Sequence, residues 1–259
     1  MKGLYKLSSF QFYSMLLKAF LVCAGLFVMQ FIAFSGQLFG SGIRLEQFMQ
    51  RSNFHTMFLV AYLLILVVIA LSVYQRYFGA KSIYTLMKLP VSRGALFWSF
   101  ILPAILVVLM LCLTQILSVF ACNQYLIMRK TAQMGGMDIA QIKSTAYMHN
   151  NLFLAFVRYD YLRLLLPLNL LDLARSIVML IAPVVTVIYV AFCERSRKFL
   201  RLVLVLIQVY CLWQLVTMIN QTSIANTDTT TMVCIGISSV LTAWFIVQSH
   251  RMIKQKTMI

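Results

Sequence analysis

The stretch TMFLVAYLLILVVIALSVYQ, residues 56–75, carries no charged side chain. A helix needs about 20 apolar residues to cross the roughly 30 Å hydrocarbon layer of a bilayer. This segment has that length. It is apolar on every side of a helix rather than along one stripe, so it suits lipid better than a water-facing surface.

The rest of the chain extends the pattern. Of 259 residues, 62% are apolar and 11% charged, where a soluble domain has roughly 45–50% and about 25%. Six stretches qualify as spans, at about 17–36, 56–75, 95–121, 176–193, 202–219 and 231–248. The start of the fourth is open, because LRLLLPLNLLDLARS (162–176) is nearly as apolar. The expected fold class is therefore an all-α polytopic membrane protein, a single transmembrane domain over residues 1–259. The first apolar run is longer than a typical signal peptide and reads as a retained anchor.

The net charge of +16 in a soluble protein would suggest nucleic acid. Here the bases sit at the ends of apolar runs, where they orient a membrane protein, with more Lys and Arg on the cytoplasmic side. An N-terminus inside places Lys2, Lys6 and Lys18 there, then Arg76, Lys81, Lys88 and Arg93. Arg195, Arg197, Lys198 and Arg201 follow, and finally Arg251, Lys254 and Lys256. Glu194 is the only acid among them. The short outer loops hold Arg44 and Arg51 in one case and no base in NQTSIANTDTT (220–230) in the other. The expectation is six spans with both termini in the cytoplasm of a cell, a bacterial plasma membrane being the natural setting.

Three segments are not plain spans. In LYKLSSFQFYSMLLKAF (4–20) a helix places Leu4, Leu7, Phe10, Tyr13 and Leu17 along one side, as in an interfacial amphipathic elbow. A longer first span fits the same residues equally well. The connection 122–165 contains Gly135 and Gly136, then Arg158, Asp160 and Arg163 among Phe, Tyr and Leu. It reads as an interfacial or partly re-entrant helix with snorkelling arginines. Asp172 and Arg175 share a helix face at the start of span four and are expected to neutralise each other near the outer interface. A substrate contact is the rival reading, since ionisable groups at membrane depth often serve function.

The connector between spans two and three carries the most information. In KSIYTLMKLPVSRGALFWSF (81–100), AKSIYTLMK forms two helical turns with Ile83, Leu86 and Met87 on one side. Pro90 stops that helix and biases Leu89 toward extended backbone. Ser92 is a good N-cap for a helix beginning Arg93-Gly94-Ala95. Tyr74, Tyr77 and Tyr84 suit a membrane interface. A simple reversal needs only a handful of residues; this connector builds a short basic bar with an apolar side.

That string resembles the segment after the second span in permease subunits of type-2 ATP-binding-cassette exporters, where a short coupling helix precedes a Leu-Pro-Val/Ile-Ser-Arg-like turn into span three. Six spans, inward termini and a basic loop between spans four and five match the same layout. The longer, more charged 122–175 region departs from it. The resemblance implies that Lys81, Ile83, Tyr84, Leu86, Met87, Lys88, Pro90 and Arg93 engage a separate cytosolic ATPase, with two copies of it in the assembly. A second permease copy or a sister permease completes the pathway within the lipid bilayer. The chain has no GxxxxGK[ST] of its own, so ATP and Mg belong to the partner and no cofactor is expected here.

Rival classes have less support. An intramembrane enzyme needs paired acids, a Ser–His pair or HExxH; His55, His149 and His250 each stand alone. The six cysteines show no CxxC, which leaves no disulfide or metal framework and no candidate metal ligand. Ion-driven carriers usually show internal repeats and buried midplane charge. A motor-free scaffold or sensor shares the topology and differs only in lacking the ATPase. The expected cargo is amphipathic or hydrophobic, such as an antimicrobial peptide or drug; lipid or polysaccharide export is the alternative.

Overall fold

A computed structural model describes residues 2–36, 45–78, 93–133, 152–195, 202–217 and 227–254. Among these there is no strand. In chain order the elements are α1 (Lys2–Ser35), α2 (Leu45–Arg51), α3 (Phe54–Phe78) and α4 (Arg93–Gln133). Then come a short helix α5 over 152–158, α6 (Asp160–Leu165), α7 (Leu170–Arg195), α8 (Leu202–Thr217) and α9 (Thr227–Lys254).

Five of these helices are long and apolar enough to cross a membrane: Tyr5–Ser35, Phe54–Gln75, Phe97–Arg129, Leu170–Glu194 and Thr229–Met252. Their outward faces are as greasy as their inward ones, with Leu21, Ile32, Leu63, Val67, Leu113 and Val240 all exposed. So much contiguous apolar surface would aggregate in water and is stable against acyl chains. The chain is a multi-pass membrane protein. The fifth expected span corresponds to α8, whose 16 residues reach about 24 Å before the described segment ends.

Several expected boundaries move. Residues 4–20 do not form a separate elbow: α1 is one unbroken helix from Lys2. Of the expected apolar side, Phe10, Tyr13 and Leu17 point outward while Leu7 is buried, as are Gln11, Met15 and Ala19. In lipid the burial preference is reversed for a glutamine that finds a partner, because an exposed amide would lose its hydrogen bonds. Helix α4 passes the expected end at 121, since NQYLIMRKTAQ contains no Gly or Pro and keeps Cys122 and Leu126 buried. Helix α7 starts early, at Leu170.

The chain packs as two compact units. The first comprises Met1–Phe20, Leu63–Leu109 and Ala174–Ile259. Its centre is α7, whose span is 67% buried against 17% for that of α9. Tyr189 of α7 stacks on Phe245 of α9 at 4.3 Å between centroids, and Phe192 meets Phe100 of α4 at 6.3 Å. Pro103 lies inside α4; having no N–H, it omits the backbone rung to Ser99 four residues back. At that turn Gln11 donates to the Ser99 hydroxyl at 3.0 Å, tying α1 to α4.

The second unit comprises Leu21–Tyr62 and Met110–Leu173. Phe34 is its hub, in ring contact with Phe48, Phe54 and Tyr125. Asn53 takes a positive φ of 51° between α2 and α3, a conformation that asparagine tolerates better than most residues. Among the described residues before α7, 152–165 form two short helices rather than one. Arg163 donates through Nε and Nη2 to the Val157 carbonyl, at 2.7 and 2.5 Å, satisfying a carbonyl that the end of α5 leaves open.

Candidate functional site

The connector residues Lys81, Ile83, Tyr84, Leu86, Met87, Lys88 and Pro90, with Ser92, lie outside the described residues. Arg93 is the first residue of α4, where the turn-and-cap reading put the helix start. What is described is the frame on either side, and it belongs to the first unit. On the α3 side the Tyr74 hydroxyl donates to Glu194 Oε2, near the end of α7. On the α4 side Gly94 faces His250 of α9: a Cβ at Gly94 would lie 3.1 Å from His250 Cε1. Phe97, one turn on, is fully buried and meets the His250 ring edge-on at 5.8 Å. With Gln11 on Ser99, the two helix ends flanking the connector are bound to α1, α7 and α9.

Each of the two helices that enter the connector is thus held to another helix, α3 through Tyr74 on Glu194 and α4 through Gly94 against His250. Glu194, the one acid expected among the inner segments, is engaged by a phenol and sits beside the basic run that starts at Arg195.

Asp172 falls in the first turn of α7, where a carboxylate complements the helix dipole. Arg175 reaches across to α8, its Nη2 donating to the Leu215 carbonyl at 2.7 Å. That carbonyl is among the last four of α8, which have no partner within their own helix. Arg175 therefore braces α7 to α8. In the second unit Arg158 lies 3.9 Å from Glu46, and Tyr161 is enclosed by His55, Phe58 and Tyr159. Burial pushes the Tyr159 phenol up to about 12 and that of Tyr161 well above its ordinary value.

The residues that sequence reasoning passed over are isolated amides and hydroxyls within apolar runs. Gln30 donates to Gln115 Oε1 at 2.7 Å, and Ser118 donates to Gln30 Oε1 at 2.5 Å, all three fully or nearly fully buried. Gln208 of α8 donates to Ser238 Oγ of α9 at 2.7 Å. Their signal was present: a glutamine in a span is costly unless paired. Its partner was not legible, because it lies on a helix distant in sequence. Among the described residues no three His, Cys, Asp or Glu side chains gather as a metal site.

No family model matches the chain, and no curated protein or solved structure matches it either.

Proposed function

We propose that this chain is the membrane-spanning permease subunit of a type-2 ATP-binding-cassette exporter, with six spans and both termini in the cytoplasm of a bacterial cell. The observation that carries the reading is the connector: a basic bar with an apolar side, then Leu89-Pro90-Val91-Ser92-Arg93 leading into α4. The braces at Tyr74–Glu194 and Gly94–His250 support it, since a lever works only if the helices it joins are rigid at its ends.

In this mechanism residues 81–88 seat in a groove of a cytosolic ATPase. Ile83, Leu86 and Met87 bury against it, Tyr84 lies at the interface, and Lys81 and Lys88 meet acidic groups or lipid phosphates. Closure of the ATPase around ATP and Mg displaces the bar, Pro90 keeps it from merging with α4, and α3 and α4 follow. Two copies of the permease, or this chain with a sister subunit, enclose a pathway. Spans with few charges and many aromatic and aliphatic side chains favour an amphipathic or hydrophobic cargo, such as an antimicrobial peptide.

Purification from the native host tests the class: a stoichiometric ATP-hydrolysing subunit should travel with the chain, and its absence overturns the proposal. Replacing Leu86 and Met87 with Asp should abolish docking and transport while the membrane protein remains folded. Cysteines placed at Ser223 and Lys254 should label from opposite sides of the membrane; labelling from one side rejects the six-span topology.

A further inference from the structure

Helices α8 and α9 run side by side in the first unit, with Cα atoms within 8 Å of each other. Gln208 sets their register, its amide donating to Ser238 Oγ at 2.7 Å and reaching Thr242 Oγ1 at 3.3 Å. One turn onward along α8 comes Cys211, and one turn back along α9 comes Cys234. With Gln208 on Ser238 fixing the register, the antiparallel pairing places these two at facing positions across the seam. Cys234 packs in one hydrophobic cluster with Leu212, Leu215 and Ile235.

The α9 side of this seam is made of Thr231, Cys234, Ser238 and Thr242, all small, which allows the close backbone approach that a disulfide requires, roughly 4.4–6.8 Å between Cα atoms. Cys211 is buried, while Cys234 is partly open to the surroundings. Both lie well inside their helices, about 9–10 Å from the outer ends, within apolar surroundings. Thiolate chemistry is disfavoured there, since burial keeps a thiol protonated. Hydrogen-atom transfer from a neutral thiol is not.

We propose that Cys211 and Cys234 form an intramembrane dithiol that lipid-borne radicals oxidise to a disulfide, stapling α8 to α9. A lipid peroxyl radical takes the hydrogen atom of the Cys234 thiol, which leaves a lipid hydroperoxide and a sulfur-centred radical. That sulfur bonds to Cys211 Sγ as the Cys211 S–H bond breaks. Dioxygen dissolved in the bilayer accepts the departing proton and electron and becomes a hydroperoxyl radical. In sum, two thiols, one peroxyl radical and one dioxygen yield one disulfide, one hydroperoxide and one hydroperoxyl radical. The pair of Cys23 and Cys112 lies in the second unit. It serves as an internal comparison. The inference does not depend on the transport reading.

The test uses the full-length protein in aerated vesicles of polyunsaturated phosphatidylcholine, with a lipid-soluble azo initiator as the radical source. After trapping of remaining thiols and digestion, mass spectrometry should find the Cys211–Cys234 linked peptide and the loss of two of the six free thiols. Dithiothreitol should restore both, and α-tocopherol should suppress the loss. Cys211→Ser and Cys234→Ser should each abolish the link. Lipid-soluble iodine applied to the unaltered chain gives the same readout without any substitution. Cys234 oxidised to sulfinic acid with no link, a link joining two chains, or loss of Cys23 and Cys112 with this pair intact would each overturn the proposal.

Discussion

Gly94 lies against the imidazole of His250, with so little room that a methyl group at its Cα would sit 3.1 Å from Cε1. The N-terminal turn of α4 is thereby seated on the C-terminal part of α9, next to the connector that the proposed motor would push.

Gly94→Leu should displace His250 and lower thermal stability in detergent by about 1–3 kcal/mol, the usual cost of overpacking. Adding His250→Ala should recover most of that loss. If the double variant is no more stable than Gly94→Leu alone, the contact is not the cause.

Tyr74→Phe removes the donor to Glu194 and keeps the ring. A hydrogen bond to a carboxylate is worth about 1.5–3 kcal/mol when sheltered; exposure at this end reduces that to about 1 kcal/mol or less. Tyr74→Phe and Glu194→Gln should be non-additive in a double-mutant cycle. Additive losses would place the two side chains in separate roles.

The Gln30–Gln115–Ser118 cluster should respond asymmetrically. Gln30→Leu leaves the side-chain carbonyl of Gln115 without its donor in an apolar interior and should cost about 1–3 kcal/mol, while Ser118 keeps its hydrogen bond to the Gln115 backbone carbonyl. Gln30→Leu with Gln115→Leu should cost less than Gln30→Leu alone, because fewer polar groups remain unmet. Chemical denaturation of the two variants in the same detergent compares them directly.

Tyr159 and Tyr161 should be among the last phenols to ionise when tyrosinate absorbance is followed upward in pH. The folded-state value of Tyr159, about 12, exceeds the ordinary value of about 10. The contribution of Tyr159 to stability is thus complete below about pH 10 and is lost as pH climbs toward about 12. Tyr159→Phe should remove part of that alkaline slope.

Much of the helix layout was legible from composition and run length, since a span announces itself by the absence of charge. Lengths were less so. Residues 122–133 read as the start of the connection after span three, since the apolar run ends at 121, yet Cys122 and Leu126 continue the buried stripe of α4. In the N-terminal segment periodicity marks Phe10, Tyr13 and Leu17 as the apolar side of an interfacial helix, and they are exposed; what it passes over is Gln11, which turns inward. Amphipathic reasoning assumes water outside; with lipid outside, polar residues seek the interior.

What the sequence by itself determined is local: where the chain must lie in lipid, and that a helix begins at Arg93. These follow from transfer energies and backbone sterics of neighbouring residues. Only the tertiary structure decided the partners: Gln30 for Gln115, His250 for Gly94, Cys234 for Cys211, Leu215 for Arg175. Each pair joins separate helices, and which faces meet depends on packing that no local pattern encodes.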